Sequence, residues 1–104
     1  MNKQQQFEHF ENVIEKCKKI MLSKGDDYAG QDRLSNFKDV GQVCGTSGKV
    51  ACLHLIATKV ARLSQLFTGK IPNNESIEDS ILDLINYSIL LDMLVADAKP
   101  AIAV

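Results

Sequence analysis

An all-α fold is predicted by three features of this 104-residue chain. Apolar residues recur at three- and four-residue intervals along three long stretches, no alternating strand pattern occurs, and five of the six glycines fall in one segment between the first two stretches. The length suits one domain over residues 1–104 with a modest core, and a chain this small buries a lesser share of its surface than a larger one. Hydrophobic residues at 45% and charged ones at 24% place it among compact rather than disordered chains.

The first helix is predicted over about residues 4–22, where Phe7, Phe10, Val13, Ile14, Cys17, Ile20 and Met21 form one stripe. Ser23-Lys24-Gly25 resembles a C-terminal stop, with a basic last turn and a following glycine. Residues 24–47 then read as a long loop or a short helix. Within them, 32–40 can supply one or two turns, with Leu34, Phe37 and Val40 facing inward. A second helix runs over about 48–68 and is expected to bury Val50, Leu53, Ala57, Val60, Ser64 and Phe67. Asn73 or Asn74 is expected to cap a third helix over about 74–96, whose acidic first turn suits the positive end of the dipole.

A net charge of −1 and a pI near 6.1 lack the basic footprint of a double-stranded nucleic-acid binder, while a small charged ligand is compatible with them. Cys17, Cys44 and Cys52 have no zinc-like spacing and read as free thiols in a reducing compartment. His9 and His54 have no ligating partner at helical spacing. The polar opening MNKQQQFEHFEN does not resemble a signal peptide, and no run approaches ~18 apolar residues. A cytoplasmic location, host cytoplasm if the chain is phage-encoded, and no membrane partner are therefore expected.

The third helix is the most informative element. Ile77, Ile81, Leu84, Ile85, Ser88, Leu91 and Val95 read as its core stripe, and Glu75, Asp79 and Asp83 stack on the far side. Farther along, that far side turns apolar at Leu82, Ile89, Leu90 and Met93, which predicts a homo-oligomer, dimer or higher. If the second and third helices form an antiparallel hairpin, Lys59 and Arg62 fall level with these carboxylates. Two readings stay open there. One is structural ion pairing, Lys59 with Asp83 and Arg62 with Asp79. The other is a site in which carboxylates hold Mg²⁺ while Lys59 and Arg62 take nucleotide phosphates. Lys24, Asp27, Tyr28, Arg33, Asn36 and Phe37 supply the cation, acceptors, rings and amide that a base and its sugar need, although Tyr28 and Phe37 also suit anchoring of the loop.

The stretches KGDDYAGQDRLSNF, TKVARLSQL and NNESIEDSILDLINYSILL resemble the phage and bacterial nucleotide-modification-associated domain, a relative of the MazG-like all-α nucleotide pyrophosphohydrolases, over about residues 10–95. This resemblance implies a helical bundle completed by oligomerisation and Mg²⁺-dependent removal of pyrophosphate from a nucleoside triphosphate. It implies Glu75, Glu78, Asp79 and Asp83 as metal ligands, Asp79 and Asp83 as catalytic, and Lys59 and Arg62 as phosphate ligands. Asn86 and Tyr87, in its acidic motif, join the substrate-binding set. Enzymes of that class carry a second pair, Glu-x-x-Glu, on the preceding helix, whereas KVACLHLIATKVARLSQLF has no acidic residue. Sequestration of a nucleotide second messenger without turnover, as an anti-defence protein, is the competing expectation, and a helical interaction module without ligand is the third.

Overall fold

The computed structural model describes residues 1–28, 32–69 and 76–98, with the side chains of 24–28 excepted. Among the described residues the chain is all-α: α1 (Lys3–Tyr28), α2 (Ser35–Val43), α3 (Gly48–Phe67) and α4 (Ile77–Asp97). The first helix passes through the expected stop and ends at Tyr28. Gly25 is not among the glycines with positive φ, and a glycine that keeps helical backbone costs a helix only about 1 kcal/mol.

The expected short helix in the intervening segment is α2, where Leu34 and Phe37 are half-buried but Val40 points outward, 52% exposed. The inward position is Gly41. A Cβ there would collide with the backbone of Ser47 and sit 2.7 Å from the Gly48 nitrogen, so the tight corner between α2 and α3 requires glycine. Gly45, at φ 71°, turns the chain within that corner. Ser47 then caps α3 by accepting from the Val50 N–H.

The expected caps Asn73 and Asn74 lie outside the described residues, and the observed N-cap of α4 is Ser76. Its hydroxyl accepts from the Asp79 N–H at 3.0 Å, and the Asp79 carboxylate accepts from the Ser76 N–H at 3.4 Å. This reciprocal capping box sets the start of the helix.

Helices α3 and α4 pack antiparallel. Cys52 Sγ lies 3.3 Å from the Tyr87 carbonyl, and farther along α3 Lys59 meets Asp83, farther back on α4. On the other flank of α4 lies α1, where the Asn86 amide donates to the Cys17 carbonyl at 3.0 Å and Cys17 Sγ approaches the Leu82 carbonyl. The core consists of Cys17, Cys52, Leu63, Leu66, Leu82 and Leu94.

Two expected faces are thereby corrected. On α3, Cys52, Leu63 and Leu66 are buried, whereas Val50, Leu53, Val60 and Phe67 are exposed. On α4, Ser80, Leu82, Asn86 and Leu94 are buried, whereas Ile77, Ile81 and Val95 of the expected core stripe are exposed. Leu82, expected at a subunit contact, belongs to the intrachain core because α1 covers it. Small groups sit at the closest approaches: Cys52 and Ser80 are both fully buried. The radius of gyration, 16.0 Å, exceeds the roughly 13 Å usual for this length.

Candidate functional site

The charged centre of the molecule is the pair between Lys59 and Asp83, with Nζ and Oδ2 3.0 Å apart and side chains only 18% and 14% exposed. The antiparallel register of α3 and α4 makes it, bringing together residues from the middle of α3 and the second turn of α4. Arg62, one turn along α3, is half-buried on the same flank. Of the two expected ion pairs, the one between Lys59 and Asp83 is formed. Asp79, expected to meet Arg62, instead turns back onto the cap of its own helix.

Polar groups continue along α4. Asn86 is 5% exposed, and its Oδ1 accepts no hydrogen bond among the described residues, although its amide is held by Cys17. Ser80 Oγ is fully buried and likewise makes none. Tyr87 is half-buried, its carbonyl serving as the acceptor for Cys52. Burial pushes the Cys17 thiol above its ordinary range, and the nearby Asp83 charge pushes it further the same way. Burial alone raises the Cys52 thiol.

Of the four expected metal ligands, the three that lie among the described residues are not gathered. Glu78 pairs with Lys16 at 2.6 Å on the exposed side of α4, Asp79 serves the capping box, Asp83 pairs with Lys59, and Glu75 lies outside the described residues. Among the described residues no three His, Cys, Asp or Glu side chains are placed to hold a metal ion. The three described carboxylates are therefore not arranged as an Mg²⁺ site, since the ion needs near-octahedral oxygen ligation and Glu78, Asp79 and Asp83 each already have another occupation.

The remaining expected ligand-binding residues spread over two elements. Lys24, Asp27 and Tyr28 form the end of α1, with side chains outside the described set; Arg33 and Asn36 are exposed, and Phe37 is half-buried beside α3. Two features escaped sequence reasoning. Lys16 reaches Glu78 across 62 positions, and Lys38 is shared by Asp32 at 2.7 Å and Asp97 at 2.6 Å, the latter 59 positions away. No local spacing signals such pairs. Both carboxylates raise the Lys38 ammonium, to about 12, through hydrogen bonds led by that of Asp32.

Fold and site together define a class: a small chain, all-α among the described residues, whose antiparallel α3–α4 pair carries a mostly buried Lys–Asp centre on one flank. Set against family models, curated proteins and solved structures, the chain matches none of them.

Proposed function

We propose that the protein binds a nucleotide or nucleotide-derived small molecule at the flank of α3 and α4 marked by Lys59, Arg62 and Asp83, and retains it without metal-dependent cleavage. The observation that carries this reading is the Lys59–Asp83 pair, 3.0 Å apart and mostly buried, beside a second cation one turn away. Two cations on one helix flank suit a phosphate, because hydrogen bonds to charged groups are the strong ones. Asp83 holds the Lys59 ammonium in place. Retention is favoured over hydrolysis because Glu78 and Asp79 are engaged elsewhere and α3 offers no carboxylate of its own.

The test is to incubate the pure protein with mononucleotides and cyclic oligonucleotides, with and without Mg²⁺, measuring both binding and product. Retention of unchanged ligand in either condition is expected. Lys59→Ala and Arg62→Ala should each weaken it by about 1.5–3 kcal/mol, roughly ten- to a hundredfold. Product formed only in Mg²⁺ would transfer the assignment to a pyrophosphohydrolase. Failure to bind any nucleotide would leave the helical interaction module.

A further inference from the structure

The charge that the α3–α4 flank can offer an anion is set by the residues around Lys59. Leu55, Lys59 and Arg62 follow one another at four- and three-residue spacing along one line of α3, and Asp83 meets Lys59 from α4. Two cations and one carboxylate leave at most one positive charge in excess, and any carboxylate on Arg62 lowers that figure.

The neighbouring elements add nothing to it. Helix α4 has no Lys or Arg, and the other lysine of α3, Lys49, lies about 15 Å back along the helix. On α1, Lys16 is held by Glu78, while Lys18 and Lys19 are turned about 100° or more from Cys17, the residue that meets α4. The start of α4, where backbone N–H groups would otherwise serve an anion, is closed by the capping box of Ser76 and Asp79.

Burial makes the limit matter. Lys59 and Asp83 are only 18% and 14% exposed, and a surplus charge costs more to hold in such a setting than in water. A terminal phosphate carries about −1.5 to −2 at neutral pH, because its second ionisation falls near pH 6, and each phosphate joined to it brings further charge. A phosphodiester has no second proton to lose and carries a single charge. That charge is the one the flank can match.

We infer that the ligand of this flank is a phosphodiester, a cyclic nucleotide or a dinucleotide that presents an internal, singly charged phosphate to Lys59 and Arg62. The inference rests on the nucleotide reading and narrows it. It runs against the substrate that the pyrophosphohydrolase resemblance implies, since a triphosphate needs a cation that the described carboxylates are not arranged to hold.

Calorimetric titration of the full chain without added metal tests it, using adenine ligands that differ only in how the phosphate is carried: 3′,5′-cyclic AMP, the dinucleotide ApA, AMP and ATP, with the same set repeated for the other bases. At least one diester should bind more tightly than the monophosphate, and the monophosphate more tightly than the triphosphate. Comparison of the two diesters tells a ring-closed phosphate from a bridging one. Leu55→Lys adds a third cation to the line at a position already 39% exposed. In the folded variant, checked by circular dichroism, binding of the mono- and triphosphate should strengthen relative to the diesters by up to about fivefold, the range for an exposed charge pair. A purely structural role for the Lys59–Asp83 pair would not shift that preference. If the variant unfolds, the wild-type ranking decides alone. Triphosphate bound as tightly as the diesters or more so, and lost in Lys59→Ala, would overturn the inference while leaving the nucleotide reading in place. An unmoved preference in folded Leu55→Lys would overturn it as well. Binding of no nucleotide in any charge state would remove both.

Discussion

Asp83→Asn distinguishes an ion pair that holds two helices together from a carboxylate reserved for a metal. In the native protein the Asp83 carboxylate sits 3.0 Å from Lys59, both side chains less than a fifth exposed. The substitution preserves shape and deletes the charge that offsets the Lys59 ammonium at that distance. Breaking one half of a buried pair costs about 3–5 kcal/mol, and the residual exposure here points to the lower end of that range. A domain of this length has about 5–15 kcal/mol in total, so the loss is a sizeable fraction of its stability. At about 4 °C or more per kcal/mol, the melting temperature should drop by more than about 10 °C. The assay is thermal unfolding by circular dichroism at one fixed protein concentration, since any subunit association makes the midpoint concentration-dependent. The double variant Lys59→Met with Asp83→Leu should recover most of the loss, because apolar replacement of a buried pair is often neutral or stabilising. An Asp83→Asn protein that melts within a degree or so of wild type would refute the structural role of the pair.

Two further outcomes follow from the titrating groups. Asp32 is held below its ordinary 3.8 by the Lys38 hydrogen bond and then by the Leu34 N–H, so its contribution is present above that ordinary value and lost as pH falls through its depressed native one. Lys38 is raised from 10.5 to about 12, so its contribution is complete below 10.5 and lost as pH rises through about 12. The difference in melting temperature between wild type and Lys38→Met should accordingly be flat from about pH 5 to about pH 10, fade at both extremes, and shrink in high salt. For the thiols, timed reaction with a disulfide reagent at neutral pH should modify the exposed Cys44 first, with Cys17 and Cys52 reacting only as the protein opens. Rapid modification of all three in the native state would contradict the packing of α1 and α3 against α4.

The existence of the helices was legible in the sequence, but the direction in which two of them face was not. On α4 every position from Leu82 to Val95 is apolar except Asp83, Asn86, Tyr87, Ser88 and Asp92, so periodicity alone offers two stripes and no reason to choose. The structure chooses by size as well as hydrophobicity. Where helices approach most closely, Gly41, Cys52 and Ser80 are buried while Phe67 and Ile81 stay outside, because a short side chain lets backbones come together and a long one holds them apart. A count weighted by hydrophobicity ranks these residues in the reverse order. The Lys59–Asp83 pair was legible because both its height and its charge follow from an antiparallel hairpin. Lys16–Glu78 and Lys38–Asp97 depend on how α1 and α2 lie across α4, which no spacing within a helix encodes.

Charge balance on the α3–α4 flank limits the chemistry of the ligand proposed for it. Asp79 has its carboxylate turned to the Ser76 N–H, where the positive end of the helix dipole also favours it, and Glu78 is neutralised by Lys16. Drawing both into a metal site would give up a capping box, worth about 1 kcal/mol, and an exposed pair worth at most about as much. Drawing in Asp83 would give up the Lys59 pair, which costs more than the other two together. A divalent cation would therefore have to offset that whole sum before contributing any net affinity. An anionic phosphate faces no such demand, since it is attracted by the cations and displaces none of the carboxylates. The cheaper rearrangement is the one that leaves every carboxylate where it is, and it favours a phosphate-bearing ligand held without a metal.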